Sequence, residues 1–164
     1  MEFIYCTACG EKLITKEIGD EGLLPFCPLC NKPFFDLFNT CVIVMVVKDD
    51  RVLLLKQNYV SEYWVLVAGF IKKGETAEEA VAREAEEETG LKTKEHKYIS
   101  SYFHEHSEAL MLGYLVFVED DKFTITREVD DLRWFNINEV DKYIREGSIA
   151  KRHIDNVKRF LNYK

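Results

Sequence analysis

The chain has 164 residues with 29 acidic and 22 basic side chains, so its formal net charge is −7, and 47% of its residues are hydrophobic. This length and composition predict one full domain with room for a minor module. The negative charge argues against broad binding to nucleic acid, because a polyanion would be repelled. The longest apolar run, from Cys41 to Val47, is too short to span a bilayer, and the amino terminus has no targeting pattern. We therefore expect a cytoplasmic protein without membrane contacts.

The first forty residues contain two Cys-x2-Cys pairs separated by seventeen residues, a spacing typical of a four-cysteine zinc ribbon. Two disulfides are the alternative, but they require an oxidising compartment that nothing in the sequence suggests. A zinc ion with four thiolate ligands has no open position for substrate. We therefore predict a structural Zn²⁺ that supplies folding energy to a module too small to fold alone. Its predicted ligands are Cys6, Cys9, Cys27 and Cys30.

Beyond the cysteine pairs, apolar and β-branched runs alternate with polar segments, which predicts layered α/β packing around a mixed sheet. We place the domain boundary so that a ribbon covers 1–39 and the main domain covers 40–164. Cys41 opens the first apolar run and is expected to be a buried small side chain. The predicted strands, of which the first two form a hairpin, are 41–48, 52–57, 63–68, 96–104, 109–118 and 131–135. Helices are predicted near 138–146 and 149–162.

The segment from Gly69 to Leu91 combines a glycine-containing loop with an acidic helix. Thr76 and Glu79 form a capping-box pattern that starts the helix, and Gly90 would end it. Before this helix, the residues from Gly69 onward have the composition of a loop. The acidic run is therefore predicted to be helical.

Three glutamates of this helix, Glu84, Glu87 and Glu88, continue its apolar stripe on a helical wheel and are predicted to point inward. Arg83 falls on the opposite side, where a solvated face is expected. Like charges at these spacings repel by roughly 0.2–0.5 kcal/mol per pair even on an exposed helix. A cation would remove that cost, and carboxylates without His or Cys suit Mg²⁺ or Mn²⁺.

The same segment matches the Nudix box at every defined position, and the chain therefore resembles the Nudix hydrolases, which cleave nucleoside diphosphates linked to another moiety. The resemblance implies an α/β/α sandwich. It also implies that the three glutamates hold divalent metal, with the backbone carbonyl of Gly69 as a further ligand, while Glu75 and Arg83 are structural partners. The matching positions are Gly69, Glu75, Arg83, Glu84, Glu87, Glu88 and Gly90.

A zinc ribbon followed by a Nudix domain looks like the NADH pyrophosphatase branch of that family. The branch has a marker, Ser-Gln-Pro-Trp-Pro-Phe-Pro-x-Ser before Leu-Met, which aligns with 101–109; this chain keeps its length but has none of its prolines and no tryptophan. Its aromatic residues could stack on a nucleobase and its histidines could approach phosphate. Alternatively, the segment is a strand and turn with aromatic residues packed in the core. The candidate residues are Ser101, Tyr102, Phe103, His104 and His106.

Two further features lie near the carboxy terminus. Glu128 precedes the strand Arg133–Phe135 and resembles the glutamate that completes the metal site in this branch; a solvated loop charge is the alternative. The final helix combines apolar and basic residues at helical spacing, which predicts that most of its basic residues form a solvent-facing side. The basic residues are Lys151, Arg152, His153, Lys158 and Arg159.

These features predict hydrolysis of a diphosphate linkage, dependent on Mg²⁺ or Mn²⁺, with NADH or NAD giving a nicotinamide mononucleotide and AMP. ADP-ribose, other nucleotide conjugates, nucleoside triphosphates and capped RNA ends are alternatives of the same chemistry. A non-catalytic module that senses a nucleotide, with the ribbon contacting a partner, is an alternative of another class. The branch resemblance also implies a homodimer.

Overall fold

The structure, a computed structural model, describes residues 3–57, 61–126 and 129–163. The chain divides into two units, Met1–Phe38 and Asn39–Lys164, each with its own hydrophobic core. This division falls one residue before the boundary expected from the sequence. Within the described residues, no helix is long and apolar enough to cross a membrane.

The first unit is a small antiparallel sheet. Its strands are β1 (Ile14–Glu17), β2 (Leu23–Cys27) and β3 (Lys32–Pro33). β2 lies in the middle and pairs with both neighbours. The turn between β2 and β3 contains Cys30 and Asn31, and Asn31 has a left-handed φ of 53°. In the described part, Cys6, Cys27 and Phe34 form one buried cluster and Phe26 is buried as well, which is too little apolar area to stabilise the unit unaided.

The second unit is built on a mixed six-stranded sheet. Its strands are β4 (Asn39–Lys48), β5 (Arg51–Lys56), β6 (Val67–Phe70), β7 (Thr93–His104), β8 (Ala109–Val118) and β9 (Asp131–Asn136). Their order is β7-β8-β4-β5-β9, and β6 pairs with the first half of β4. β4 and β8 are parallel, whereas the other pairs are antiparallel. Residues 41–47 of β4 are all buried, which explains their uninterrupted apolar sequence.

Two helices cover opposite faces of this sheet. The first, α1 (Ala77–Thr89), packs Ala80 and Val81 against the even-numbered residues 42–46 of β4. The second, α2 (Ile149–Phe160), packs Ile154 and Val157 against the odd-numbered residues 43–47. Neighbouring residues of a strand point to opposite faces, so one apolar strand supplies both layers of core. The α/β/α sandwich expected from the sequence is confirmed.

The strand expected at 63–68 lies later in the chain, as β6. Before β6, Trp64 and Val65 form isolated bridges, and Val65 exchanges two backbone hydrogen bonds with Leu55. The apolar run therefore contains a bridge and a strand in succession. The other predicted strands and the final helix lie within three residues of their expected bounds.

The prediction of a helix at 138–146 is wrong. The structure has a single 3-10 turn there, Val140–Lys142. The carbonyl of Tyr143 accepts a hydrogen bond from the amide of Trp64 at 3.2 Å, and Ile144 bridges Trp64 in parallel. The backbone of this segment is therefore satisfied by a distant part of the chain and does not continue a helix.

α2 buries its histidine, contrary to the expectation that His153 would lie on the basic solvent-facing side. Nε2 of His153 donates to the carbonyl of Tyr114 at 3.0 Å, because a carbonyl can only accept. Nδ1 then accepts from the hydroxyl of Tyr102 at 3.1 Å, and that hydroxyl accepts from Asn156 at 2.7 Å. Burial lowers the pKa of His153 to about 4, so the imidazole is neutral at neutral pH.

Candidate active site and cysteine cluster

α1 begins and ends as the sequence predicts. Oγ1 of Thr76 accepts from the amide of Glu79 at 3.2 Å, and the Glu79 carboxylate accepts from the Thr76 amide at 2.8 Å. Gly90 ends the helix with a left-handed φ of 72°, and its amide donates to the carbonyl of Glu86 at 2.8 Å. The capping box and the glycine cap are both confirmed.

The three glutamates of α1 differ in exposure. Glu88 is buried, and the side chain of Glu84 is 12% exposed, so both point inward as predicted. The side chain of Glu87 is 54% exposed, which corrects the expectation for this residue. Glu87 lines an open cleft beside α1.

Gly69 allows Glu84 to lie against β6. A Cβ atom on Gly69 would lie 2.0 Å from the carboxyl carbon of Glu84 and 2.0 Å from its Oε1. Any other residue at this position would therefore displace the Glu84 carboxylate. The glycine brings the backbone of β6 into direct contact with an acidic side chain.

Arg83 connects the loop before α1 with two of the glutamates. Nε and Nη2 bind the two oxygens of Glu75 at 2.6 and 2.9 Å, and Nη2 also donates to the carbonyl of Phe70 at 2.9 Å. Nη1 donates to Glu84 at 2.6 Å and to Glu87 at 2.9 Å. The expectation of a solvated position was wrong, since the side chain is 18% exposed. A long side chain reaches beyond the helix face on which its Cα lies.

Glu88 is held by two donors, one in β6 and one directly after β5. Nε2 of Gln57 donates to one oxygen at 3.2 Å, and the amide of Ala68 donates to the other at 3.3 Å. Gln57 is itself buried. Sequence reasoning missed Gln57, although a polar residue directly after the buried strand β5 is the signal that could have identified it.

A cleft of about 780 Å³ lies beside these residues. Carboxylates line one part of it, and apolar side chains from β4, β8 and the approach to β6 line another, which suits a ligand with a charged group and a ring. Lys72 lines it too, and its Nζ lies 3.7 Å from Oε1 of Glu87. The lining includes Gly69, Glu84, Glu87, Glu88, Trp64 and Met111.

The candidate substrate-binding segment, 101–109, contributes fewer residues to the cleft than expected. Tyr102 is 3% exposed and hydrogen-bonded to His153, so this residue packs in the core and is not placed to stack on a nucleobase, whereas Phe103 is 53% exposed. Ser101 and Phe103 alternate with Tyr102 and lie on the other side of β7. Of the five candidates, and within the described part of the chain, His104 alone lines the cleft; His106 does not. Nδ1 of His104 lies 2.6 Å from Oγ of Ser107, which also lines the cleft.

The four predicted zinc ligands lie together in the first unit. Their sulfur atoms are all within 4.8 Å of one another, with 3.8 Å between Cys6 and Cys30 and 3.5 Å between Cys9 and Cys27. All five cysteines are free thiols, and Cys41 is buried as predicted. A tetrahedral zinc with bonds of about 2.3 Å places its sulfurs about 3.8 Å apart. The cluster is therefore compatible with structural zinc.

The glutamates suit a hard divalent ion by their donor chemistry, since all their ligand atoms are carboxylate oxygens. Among the described residues, the four cysteines are the one group of three or more His, Cys, Asp or Glu side chains whose ligand atoms lie within 4.8 Å of one another, so the glutamates do not form such a cluster. Arg83 holds Glu84 and Glu87, whereas donors from the sheet hold Glu88. Glu128, the expected fourth carboxylate, lies outside the described residues.

The NUDIX domain model matches residues 37–157, about three quarters of the chain. The chain belongs to the Nudix family. This Nudix chain is 30% identical over 153 residues to a protein of Photobacterium profundum named NAD-capped RNA hydrolase NudC, and 28% identical to the protein of that name from Escherichia coli. Both alignments cover 92% of the chain but 56% and 58% of the relatives, so the chain spans little more than half their length.

A solved Nudix hydrolase from Nitrosomonas europaea has the same fold. The two structures superpose with a TM-score of 0.73 and 24% identity, and the alignment covers 99% of this chain and 92% of the other. The Nudix domain of Shewanella oneidensis NrtR, solved in complex with ADP-ribose, superposes with a TM-score of 0.66 at 17% identity. At these identities the likeness establishes the fold alone.

Proposed function

We propose that this chain hydrolyses the diphosphate linkage of a nucleoside diphosphate derivative, with NADH or NAD as substrate and a nicotinamide mononucleotide and AMP as products. One observation carries the proposal: Glu84, Glu87 and Glu88 line a single cleft in a chain of the Nudix family. The names of the curated relatives support a substrate that contains NAD. The apolar part of the cleft offers a surface for the ring of such a substrate.

The three glutamates would hold Mg²⁺ or Mn²⁺, with the Gly69 carbonyl and Glu128 as further ligands. When bound, such ions neutralise the charge of the diphosphate and lower the pKa of the attacking water. The close contact between Gly69 and Glu84 supports this ligand set, because it places the backbone of β6 at Gly69 against the Glu84 carboxylate.

The residues around the glutamates hold their side chains in place. Arg83 donates to Glu84 and Glu87, and Glu75 in turn fixes Arg83 through two hydrogen bonds. Gln57, directly after β5, fixes Glu88. One of the three carboxylates accepts the proton of the attacking water, and the cleft holds the substrate so that its diphosphate lies beside them.

We also propose that the cysteine cluster binds one structural Zn²⁺. The sulfur separations support this assignment, as do amide donors to two sulfurs: Ala8 to Cys6 at 3.4 Å and Cys30 to Cys27 at 3.3 Å. Such N–H donors stabilise thiolates, which are the form that binds zinc. The ion would stabilise a unit whose own core is small.

The end of a capped RNA is a second candidate substrate. The relatives named NAD-capped RNA hydrolase favour it, since this Nudix chain aligns with them over 92% of its length. The reacting linkage is the same as in NAD. The two candidates differ in whether the nucleotide beyond the diphosphate is free or joined to RNA.

A panel of substrates tests the proposal. Purified protein with Mn²⁺ would be incubated with NADH, ADP-ribose, an NAD-capped RNA oligonucleotide and a nucleoside triphosphate, and the products separated by chromatography. We expect AMP and reduced nicotinamide mononucleotide from NADH, or 5′-monophosphate RNA if the capped end is preferred. Tight binding of ADP-ribose without cleavage of any panel member would instead indicate a nucleotide-sensing module.

A further inference from the structure

Lys72 lies in the loop between β6 and α1, directly beside the glutamates. Its amide donates to Oε2 of Glu75 at 2.8 Å, which fixes the backbone at this point. Lys72 is one of the residues that line the cleft, its side chain is 62% exposed, and its Nζ is 3.7 Å from Oε1 of Glu87. A fixed backbone thus presents a mobile cation at the edge of the acidic site.

Arg83, which also contacts these glutamates, has no donor left for a substrate. A guanidinium has five N–H groups. Its five hydrogen bonds go to Glu75 twice and to Phe70, Glu84 and Glu87 once each. Arg83 could bind a phosphate oxygen only by releasing a residue that it holds in place.

The contact of Lys72 is of a different kind. At 3.7 Å it is an ion pair longer than a hydrogen bond, and both side chains are more than half exposed. Exposed pairs of this type contribute little to stability. An ammonium group carries three donors on a flexible stem and is a compact point charge that binds phosphate well. Lys72 can therefore leave Glu87 for a stronger partner at low cost.

We propose that Lys72 is a substrate-binding residue that pairs with Glu87 in the metal-free protein and binds a non-bridging oxygen of the diphosphate once Glu87 holds a divalent ion. The inference rests on the proposed function, because it assigns the diphosphate to this end of the cleft. It gives Lys72 two opposite effects. The lysine competes with the metal ion for Glu87, and it attracts the phosphate.

Calorimetric titrations of the full chain measure both effects without turnover. The proteins are wild type, Lys72→Ala, Lys72→Arg and the control Lys73→Ala, since Lys73 is an exposed neighbour outside the cleft lining. The first probe is Mn²⁺ alone, and the second is α,β-methylene-ADP added to the Mn²⁺-loaded protein. For Lys72→Ala we expect Mn²⁺ to bind about threefold more tightly and the nucleotide about tenfold more weakly. Lys72→Arg should retain nucleotide affinity, and Lys73→Ala should match wild type.

The outcomes separate this inference from the proposed function. The proposed role of Lys72 is wrong if Lys72→Ala and Lys73→Ala have the same affinities in both titrations. It is also wrong if Lys72→Ala binds Mn²⁺ more weakly than wild type. If Mn²⁺ binding is lost in Glu87→Gln while nucleotide affinity is unchanged in Lys72→Ala, only the Lys72 assignment is contradicted. Wild-type protein that binds no Mn²⁺ contradicts both proposals.

Discussion

Arg83 and Glu75 are joined by two parallel hydrogen bonds, Nε to Oε1 at 2.6 Å and Nη2 to Oε2 at 2.9 Å. The pair connects the loop after β6 with the middle of α1. The hydrogen bonds that Glu75 accepts from Arg83 and from the Lys72 amide lower its pKa to about 2. Glu75 therefore stays ionised at any pH at which the protein would act, and Arg83 remains oriented toward the glutamates.

Replacing Arg83 by lysine keeps the charge but removes the planar set of donors. A single ammonium cannot bind both oxygens of Glu75 and also reach Glu84 and Glu87. We expect the free energy of unfolding to fall by about 1.5–3 kcal/mol and turnover to fall about tenfold or more. Urea denaturation and a product assay measure the two effects. Arg133→Lys, which changes an exposed arginine paired with Asp131, is the control and should alter neither.

Gly69→Ala is expected to act through Glu84. The added Cβ would lie 2.0 Å from the Glu84 carboxyl carbon, so the carboxylate must move. A displacement of about 1 Å at a reacting site costs about a hundredfold in rate. If the glycine matters because of Glu84, Gly69→Ala should have no further effect on turnover in a Glu84→Ala background. An equal loss in both backgrounds would show that Gly69 acts in another way.

His153 makes stability depend on pH. Its pKa falls from 6.5 to about 4 on folding because it is buried, so below pH 6.5 the unfolded chain binds the proton more readily. Stability should therefore decline as pH falls from 6.5 toward 4. At about 1.4 kcal/mol for each pH unit, the decline attributable to His153 is about 3 kcal/mol.

Urea denaturation at several pH values measures this decline. His153→Gln should flatten the pH dependence even if it lowers stability overall, because the slope and not the level is the readout. His106→Gln changes an exposed histidine and should leave the slope of wild type. Equal slopes in wild type and His153→Gln would contradict the assignment.

The cysteine cluster should hold about one zinc per chain, measured by elemental analysis of the purified protein. Cys27→Ser removes a buried ligand and should abolish bound zinc and the cooperative unfolding of the first unit. Cys41→Ser is the control: it changes a cysteine of β4, and the variant protein should retain its zinc. A fully folded wild-type protein that contains no zinc would disprove the proposal.

The elements with local signals could be predicted from the sequence. α1 has a capping box, a terminal glycine and an apolar stripe, all of which act within a few residues of one another, and its bounds were correct. The segment at 138–146 has helical spacing too, but its backbone pairs with Trp64, about eighty residues earlier in the chain. Periodicity carries no information on such a partner.

Side-chain contacts across the fold were harder to predict. A helical wheel places Cα atoms, so it put Arg83 in solvent although its guanidinium returns to Glu75. Gln57 and Glu88 are 31 residues apart, and Tyr102 and His153 are 51 apart. The chemistry of the carboxylates was visible in the sequence, whereas the donors that hold them depend on how β5, β6 and α1 pack.

Turnover of NADH by Glu87→Gln and Glu86→Gln, beside wild type, tests the central claim most directly. The two substitutions are the same change at neighbouring exposed positions of α1, but only Glu87 lines the cleft among the described residues. With Mn²⁺ present, we predict that wild type and Glu86→Gln release AMP and reduced nicotinamide mononucleotide and that Glu87→Gln loses at least about a hundredfold in rate. Equal turnover by Glu87→Gln and wild type would contradict the account.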